Sequence, residues 1–324
     1  MLHCPTLRPL ISIVLPTYNG SRFIEQAIES CLDQSYPHWE LIIVDDASTD
    51  DTPIRVARYV QKDPRLRIIR HHKNLRLPKA LNTGFSRANG EYLTWTSDDN
   101  YYHPKALEHM VEYLENHTEI AMVYTDYTVV DEKNNEVRRA GVRPLLWLSR
   151  GNYVGPSFLY RRKVHEAVGG YSNRFLLAED YEFWLRLSIT FEAAPLHQNL
   201  YYYRTHSGSL TFLYGTGPAR PATAAALSHH LPRLPWFKNS TRTRLFFRLA
   251  ESFRYWGDTK HMIQCCAHAG FYSPYLLIRL IKKRLTRKFS KQSTFLRDLN
   301  KKFLGRFNES IRVGKGGIIG KLQH

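Results

Sequence analysis

Short apolar runs and amphipathic stretches alternate along the first 125 residues of the chain. The run Ile11–Leu15 is rich in β-branched residues and ends at Pro16, which indicates a buried strand. Apolar residues then recur at helical spacing from Phe23 to Leu32. The two patterns repeat and predict strands at 40–44, 66–69, 91–95 and 120–124 and helices at 53–62, 78–88 and 104–116. This alternation is typical of an α/β fold with a parallel sheet covered by helices.

The pattern changes after residue 126. It predicts a hairpin at 131–139, strands at 156–161 and 200–204, and a helix at 179–189. Residues 211–235 hold Gly, Pro and Ala without clear periodicity and are predicted to form a linker. Helices are predicted beyond it at 242–256, 261–269 and 273–289. The chain is thus expected to contain a domain at 1–210, a linker at 211–235 and a helical region at 236–324.

Charge separates the two ends of the chain. The 324 residues include 46 Lys and Arg and 29 Asp and Glu, for a net charge of +17. Residues 211–324 hold 22 of the basic and 4 of the acidic residues, which leaves 24 basic and 25 acidic residues in 1–210. The whole basic excess lies in the last third, so the two parts are expected to meet different partners.

The cysteines and the N-terminus bear on the cellular location. Cys4, Cys31, Cys265 and Cys266 lack zinc-ligand spacing, which indicates a reducing compartment without a disulfide framework. The N-terminus has no signal-peptide pattern. No stretch reaches the roughly 18–20 apolar residues that span a bilayer. The sequence therefore predicts a cytoplasmic protein, with any membrane contact peripheral and on the inner face of the plasma membrane.

Acidic residues follow three of the predicted strands, as Asp45-Asp46, Asp98-Asp99 and Asp126, and Glu179-Asp180 opens a helix. Ligands of parallel sheets bind outside the carboxyl ends of the strands. Clustered carboxylates repel one another unless a cation lies between them, and oxygen ligands suit Mg²⁺ or Mn²⁺ with a phosphate-bearing substrate. The alternative reading is helix capping, which applies to Asp126 and Asp180 as well. No P-loop or dinucleotide-binding glycine motif is present.

Four segments resemble the motifs of family 2 inverting glycosyltransferases with the GT-A fold, in the family's order and spacing over about residues 10–210: Val14–Asn19, Leu41–Asp50, Gly90–Asn100 and Ala178–Arg186. The resemblance implies a GT-A, Rossmann-like mixed sheet flanked by helices, followed here by a basic helical C-terminal extension. Ser97 stands where the first Asp of the family's D-x-D element usually stands, and the segment looks like the variant of spore-coat-polysaccharide-synthesis members.

The resemblance also implies roles for individual residues. The nucleotide contacts fall on Pro16, Thr17, Tyr18 and Asp46 at the uracil or thymine base, on Lys79 at the base or the phosphates, and on Asp98 at the ribose. Asp99 is expected to hold Mn²⁺ or Mg²⁺ on the donor diphosphate. His206 lies in an element that resembles the family's Tyr-Arg-x-His, so it is a second metal-ligand candidate, with simple packing as the alternative.

Asp180 matches the catalytic base of the family. A single displacement at the anomeric carbon needs a base that takes the proton of the acceptor hydroxyl, opposite the leaving diphosphate. Glu179 is the alternative base, but adjacent residues on a helix point in different directions. Trp184 and Arg186 are expected to pack and orient this helix.

The resemblance does not extend to the basic region. Segment 273–289 separates an apolar side from a basic side, which favours an anionic membrane surface. The apolar residues are Leu276, Leu277, Leu280, Ile281 and Leu285. A partner protein or a solvated bundle face are the alternatives.

The predicted function is a metal-dependent inverting hexosyltransferase. It is expected to move a sugar from a UDP- or dTDP-sugar donor to a glycan or lipid-linked acceptor in envelope polysaccharide synthesis. A catalytically silent nucleotide-sugar-binding protein is the alternative, suggested by Ser97. Nucleic acid is not an expected partner, because the basic region carries no zinc finger, RNA-binding signature or helix-turn-helix pattern.

Overall fold

A computed structural model describes residues 8–210, 219–284 and 286. The chain divides into two compact units, Met1–Phe237 and Lys238–His324. The first unit contains all the motif segments, and the second contains much of the basic region.

One mixed sheet forms the centre of the first unit. Its strands are β1 (Ile11–Thr17), β2 (Trp39–Asp45), β3 (Leu66–Arg70), β4 (Tyr92–Trp95), β5 (Tyr101–Tyr102), β6 (Met122–Val130), β7 (Glu136–Ala140), β8 (Phe158–Arg161) and β9 (Ala193–Arg204). Across the sheet they are ordered β3-β2-β1-β4-β8-β6-β9-β5, and β7 pairs with β6. Strands β1 to β4 are parallel, whereas β8 is antiparallel to both of its neighbours. Every residue of β1 is buried, as expected for a central strand covered on both faces.

The helices of the first unit are α1 (Ile24–Leu32), α2 (Thr52–Val60), α3 (Leu77–Phe85), α4 (Ala106–Asn116), α5 (Arg162–Val168), α6 (Glu179–Thr190) and α7 (Ala219–His230). Two 3₁₀ helices lie at Leu145–Ser149 and Asn173–Phe175. The apolar stripe of α1, including Ile24 and Ile28, belongs to the same buried core as Ile13 and Leu15 of β1. Burying each such side chain contributes about 1.5–3 kcal/mol to the free energy of folding. The buried core therefore stabilises the strands whose ends carry the motifs.

Strand β6 corrects one prediction from the sequence. The predicted strand ended at Tyr124 with Asp126 beyond it, but β6 continues to Val130. It pairs with β9 along its length, and the register shifts around Asp126. The Oδ1 atom of Asp126 accepts a hydrogen bond from the backbone amide of Val142 at 2.8 Å. Asp126 therefore lies inside a strand and not at a strand end. Its side chain stabilises the loop after β7 by binding the amide of Val142.

The predicted linker at 211–235 contains a helix. Helix α7 carries Pro221 in its first turn, where proline is tolerated, and an alanine-rich segment that favours helix. Ala226 and Leu227 are buried, and Nε2 of His230 lies 2.9 Å from Oε1 of Glu182 on α6. The sequence of this helix shows no clear amphipathic period because alanines occur on several of its sides. It is part of the first unit.

The second unit contains a helical hairpin of α8 (Asn239–Tyr255) and α9 (Thr259–Tyr272). Gly257 adopts a φ of 76° at the end of α8, a conformation that glycine adopts without strain. The side chain of Asp258 caps α9 by accepting a hydrogen bond from the amide of His261. Phe246 and Phe253 are buried in this unit.

Residues 274–284 form a further helix of the second unit, and the rest of the predicted helix at 273–289 lies outside the described residues except for residue 286. Its leucines, Leu276, Leu277 and Leu280, are half-buried, which differs from the membrane-facing side predicted for them. Tyr275 and Ile278 are exposed instead. Across the residues described here, no helix has both the length and the apolar character needed to cross a membrane.

Candidate functional site

A cavity of about 1090 Å³ opens at the carboxyl ends of β1 and β4 in the first unit. Most of the residues predicted from the motifs line it: Pro16, Thr17, Tyr18, Asp46, Asp98, Asp99, Asp180 and His206. Lys79 is the exception, because it is exposed on α3 and does not line the cavity. Four separate strand ends and one helix start thus contribute side chains to a single pocket, as the parallel part of the sheet requires.

Asp46 shapes the wall of the cavity that Lys79 was expected to line. Its carboxylate accepts hydrogen bonds from the amides of Leu75 and Arg76, both at 2.8 Å, and Oδ1 lies 2.6 Å from Nδ1 of His71. Arg76 adopts a φ of 72°, an uncommon conformation for a residue other than glycine, and lines the cavity. The turn before α3 therefore brings Arg76 into the cavity. Its basic charge was not singled out by the sequence motifs.

Asp98 is held close to the end of β1. The hydroxyl of Thr17 donates a hydrogen bond to Oδ2 of Asp98 at 2.5 Å. Burial, and to a smaller extent the adjacent Asp99 carboxylate, raise the pKa of Asp98 to about 7. Gly20 permits this arrangement, because a Cβ built on Gly20 would lie 2.1 Å from Oδ2 of Asp98. A ligand that brings positive charge or hydroxyl groups to the Asp98 carboxylate would offset the cost of burying it.

Asp99 and His206 form a pair suited to a divalent cation. Nε2 of His206 lies 3.0 Å from Oδ2 of Asp99, while Oδ1 of Asp99 is buried and has no hydrogen-bond partner. A ring edge of Phe23 packs on the imidazole, with centroids 5.1 Å apart. No cluster of three or more His, Cys, Asp or Glu side chains suited to a metal occurs in the described part of the chain. The residues therefore fit Mg²⁺ or Mn²⁺ only as a two-ligand site completed by substrate phosphate and water.

Arg204 holds the loop that carries Asp99. It is 1% exposed, and its Nε donates a hydrogen bond to the carbonyl of Asp99 at 2.9 Å. Its backbone amide donates to Oδ1 of Asn100 at 2.8 Å, and a guanidinium nitrogen donates to Oε1 of Gln26 at 2.6 Å. Arg204, the arginine of the Tyr-Arg-x-His element, thus fixes the loop that carries Asp99 against α1. The spacing of the element does not reveal this role.

Asp180 lies in the first turn of α6 with Glu179 beside it, and both line the cavity. Oδ2 of Asp180 accepts a hydrogen bond from Nδ2 of Asn152 at 2.7 Å, and Oδ1 accepts one from the amide of Tyr181 at 2.6 Å. Burial raises the pKa of Asp180, and these donors oppose the shift. Burial and, second to it, the charge of Asp180 raise the pKa of Glu179 to about 7.

The two carboxyl groups differ in how they are held. Oε2 of Glu179 is buried without a hydrogen-bond partner, whereas Asp180 has donors on both oxygens. Asn152 lies in a segment without a periodic pattern, and the sequence offered no signal for it. Asp180 is thus the carboxylate of the two that is held in a fixed orientation.

The interior of α6 anchors the helix to its surroundings. Glu182 is buried, and its Oε1 accepts a hydrogen bond from Nε of Arg186 at 2.8 Å. Nε2 of His230 on α7 lies 2.9 Å from the same oxygen. Arg186 also donates to the carbonyls of Val168 and Gly170. Trp184 is fully buried. The expectation that Trp184 and Arg186 pack and orient the helix agrees with these contacts.

The sequence model described as Glycosyl transferase family 2 matches residues 12–175, about half of the chain. The chain belongs to glycosyl transferase family 2. Three of the four motif segments, Val14–Asn19, Leu41–Asp50 and Gly90–Asn100, lie within the matched residues. The family 2 resemblance read from the sequence is confirmed.

Curated relatives of this family 2 member are named glycosyltransferases. The putative glycosyltransferase EpsE of Bacillus subtilis is 33% identical over 209 residues, which cover 61% of this chain and 74% of EpsE. The putative teichuronic acid biosynthesis glycosyltransferase TuaG of the same organism is 35% identical over 123 residues, covering 38% of this chain and 48% of TuaG. An uncharacterized glycosyltransferase of Rickettsia conorii is 34% identical over 200 residues, but this chain covers only 32% of that protein's length.

Solved structures share the fold of this family 2 member. Residues 1–349 of TarS from S. aureus, in complex with UDP, align with a TM-score of 0.59 at 19% identity, covering 75% of this chain and 72% of that one. The mannosyltransferase PcManGT from Pyrobaculum calidifontis, in complex with GDP-Man and Mn²⁺, aligns with a TM-score of 0.50 at 19% identity, covering 88% and 82%. The predicted GT-A fold is confirmed by these likenesses.

Proposed function

We propose that this protein is an inverting hexosyltransferase that uses a UDP- or dTDP-sugar and transfers the sugar to a glycan or lipid-linked acceptor of an envelope polysaccharide. One observation carries the proposal: a single cavity contains an oriented carboxylate, Asp180, and the separate Asp99–His206 pair. An inverting transfer needs a base on one side of the reacting carbon and charge neutralisation on the other.

The proposed step is one displacement. The acceptor hydroxyl attacks the anomeric carbon of the donor, and its proton passes to a carboxylate oxygen of Asp180. The bond from the anomeric carbon to the diphosphate oxygen breaks as the new glycosidic bond forms, so the configuration inverts. Asn152 holds Asp180 through a hydrogen bond of 2.7 Å, which keeps the accepting oxygen in one orientation.

The leaving diphosphate belongs on the side of Asp99 and His206. A bound Mn²⁺ or Mg²⁺ would supply charge neutralisation for the leaving group there. Oδ1 of Asp99, buried without a protein partner, and Nε2 of His206 are the atoms that would hold the ion. Arg76, which also lines the cavity, adds a fixed positive charge. Lys79 stays a predicted donor contact that would require its exposed side chain to turn toward the cavity.

Names of similar proteins support the donor and the setting. TarS has been solved with UDP and with UDP-GlcNAc, and TuaG is named for teichuronic acid biosynthesis. These names support a uridine nucleotide and an envelope polysaccharide. Pro16 and Thr17 end β1 at the cavity and Tyr18 follows them, and the proposal places the base of the nucleotide there.

We also infer that the second unit meets an anionic membrane surface. Tyr275, Ile278 and Ile281 are 77%, 54% and 42% exposed on the helix at 274–284. Arg279 and Lys282 follow Tyr275 and Ile278 by four residues, so apolar and basic side chains share the exposed side. Each basic residue near such a surface contributes about 1 kcal/mol.

Vesicle sedimentation tests the membrane contact. We expect binding to vesicles of phosphatidylcholine with phosphatidylglycerol and little binding to phosphatidylcholine alone. The pair Tyr275→Ser and Ile278→Ser should weaken binding, whereas Ile54→Ser, which alters a residue 61% exposed in the first unit, should not. Equal binding by both variants would contradict this surface, and a lack of vesicle binding would leave the partner-protein or bundle alternative.

Nucleoside diphosphate release tests the transferase proposal. The purified protein is incubated with UDP-, dTDP- and GDP-sugars, with Mn²⁺ or with EDTA. We expect metal-dependent release from one uridine or thymidine donor, a loss of about 10²–10⁴-fold in Asp180→Asn, and a strong loss in Asp99→Ala. Nucleotide binding by calorimetry without release, even with envelope glycan extracts as acceptors, would favour the silent binder suggested by Ser97. Absence of both would overturn the transferase proposal.

A further inference from the structure

Two arginines share one tryptophan near the catalytic helix. The guanidinium carbons of Arg143 and Arg150 lie 4.5 and 4.6 Å from the ring centroid of Trp147. The ring of Tyr153 packs edge-on against Trp147, with centroids 5.7 Å apart, and Arg143 also faces Tyr153 at 6.0 Å. Cation–π contact of this kind holds guanidinium groups in place without neutralising their charge.

No carboxylate balances the charge of this cluster in the part of the chain that the structure describes. Among the described residues, neither Arg143 nor Arg150 is in an ion pair with a carboxylate. Residues 137–165 contain seven Lys and Arg and no Asp or Glu, although residues 1–210 as a whole are close to neutral. Holding like charges together is unfavourable unless an anion lies between them. Arg143 and Arg150 are both exposed, so this local excess of positive charge is open to an anionic ligand.

The segment that carries the cluster is tied to the catalytic helix at two points. The hydroxyl of Tyr181 donates a hydrogen bond to the carbonyl of Leu148 at 2.5 Å, and Asn152 donates to Asp180. The amide of Arg143 donates to the carbonyl of Tyr153 at 3.0 Å, which closes the segment on itself. Arg150 is two residues from Asn152, so its backbone lies within about 7 Å of it. The cluster lies beside the cavity and does not line it, but Asn152, Gly155 and Pro156 of the same stretch of chain do line it.

We propose that Arg143, Arg150, Trp147 and Tyr153 form a subsite for an acidic acceptor glycan, one that carries phosphate or carboxylate groups. This inference rests on the proposed function, because the acceptor must approach the proposed base, Asp180, and that places it on this side. Guanidinium groups bind phosphate and carboxylate with paired hydrogen bonds, and an aromatic ring beside them covers the apolar face of a sugar. A neutral glycan would leave both charges unmatched.

Glycan binding with defined probes tests the subsite. Calorimetry compares trigalacturonate, which carries carboxylates, a glycerol phosphate trimer, which carries phosphates, and chitotriose, which is neutral. We expect binding of at least one acidic probe, weakening as salt increases, and no measurable binding of chitotriose. The acidic probe that binds more tightly identifies the anion. Equal binding of chitotriose, or no binding of either acidic probe, would overturn the proposal.

Substitution of the arginines gives the second test. In Arg143→Gln with Arg150→Gln, affinity for the acidic probe should fall about 10- to 100-fold, as expected for lost hydrogen bonds between charged groups. Arg58→Gln, at an exposed arginine of α2, is the matched control and should bind as the wild type does. UDP binding in the same samples reports whether the first unit is folded. Unchanged affinity in the double variant would show that the acidic probe binds elsewhere.

The two proposals fail in different ways. If the wild type releases no nucleoside diphosphate and binds no nucleotide, the transferase proposal fails, whatever the glycan result. If nucleotide is released but the double variant keeps its affinity for the acidic probe, the transferase proposal stands and the subsite fails.

Discussion

The side-chain amide of Asn152 donates a hydrogen bond to Oδ2 of Asp180 across 2.7 Å. Burial raises the pKa of Asp180, while this bond and the one from the Tyr181 amide lower it, and the net shift is upward. Because burial outweighs the two hydrogen bonds, the Asp180 carboxylate is more basic than an exposed one. The same hydrogen bonds hold it in one orientation. Both properties suit a group that takes a proton from a hydroxyl.

Asn152→Ala should move the acidic limb of the pH–rate profile to higher pH. The bond from Asn152 favours the charged form of Asp180, so its loss raises the pKa of Asp180 further. More of the base is then protonated at a given acidic pH, and kcat falls most there. Measurement of kcat against pH checks the shift, with Asn116→Ala as an exposed amide control. An unmoved limb would argue that a group other than Asp180 sets it.

Glu179 and Asp180 should respond differently to neutral substitution. Asp180→Asn should reduce kcat by about 10²–10⁴-fold because it removes the proton acceptor. Glu179→Gln should reduce kcat by less than about tenfold, since Oε2 of Glu179 has no partner that orients it for proton transfer. Both variants are compared at saturating donor. The reverse order of effects would assign the base to Glu179.

Gly20→Ala should weaken donor binding. An added Cβ would lie 2.1 Å from Oδ2 of Asp98 and 2.6 Å from Oγ1 of Thr17, so it displaces the Asp98 carboxylate from its hydrogen bond. We expect the dissociation constant for UDP to increase by about tenfold, as for one lost hydrogen bond to a charged group. Calorimetry measures it, and Gly141→Ala is the control, since its nearest contact is a comfortable 3.7 Å. Equal affinities would mean that Asp98 does not contact the donor.

Removal of His206 should weaken metal binding without abolishing donor binding. Nε2 of His206 lies 3.0 Å from Asp99, so His206→Ala leaves a one-residue site. The Mn²⁺ concentration for half-maximal activity should increase by at least about tenfold. Substitution of residues that only hydrogen-bond a metal ligand already lowers metal affinity by about that factor. Calorimetry with Mn²⁺ in the presence of UDP gives a readout independent of turnover. Unchanged Mn²⁺ affinity would assign His206 to packing against Phe23.

The buried contact between Glu182 and His230 should stabilise the first unit. Each side chain is 3% exposed, and His230→Leu should cost about 1–3 kcal/mol by leaving an acceptor of Glu182 less satisfied. Burial tends to raise the pKa of Glu182, but His230 and Arg186 lower it more, so the net shift is downward. This contribution is therefore present above the unfolded-state pKa of Glu182 and is lost as pH falls through the lower folded-state pKa.

Urea unfolding of the wild type and Glu182→Gln measures that dependence. The difference in unfolding free energy should be largest at neutral pH and should shrink in acid. A difference that stays constant with pH would mean that the Glu182 charge does not contribute.

The periodic parts of the molecule were predictable and the irregular parts were not. Strands such as Ile11–Thr17 are continuous buried runs between turn residues, and their ends locate Asp98 and Asp99. Asn152, by contrast, lies in a loop whose shape depends on tertiary hydrogen bonds, which no local pattern records. Arg76 and Lys79 are separated by less than one turn, and only the hydrogen bonds of Asp46 to the preceding backbone decide which of them faces the cavity.

The helix Ala219–His230 bears on where the working enzyme can be cut. The family match ends at residue 175, before Asp180, and the motifs end near 210. A truncation at 210 would remove His230 and expose the buried carboxylate of Glu182 to solvent. Glu182 is two residues beyond Asp180. Expression limits placed after Phe237 would keep this interior contact. We therefore expect the smallest active fragment to include His230, which lies outside every recognisable motif.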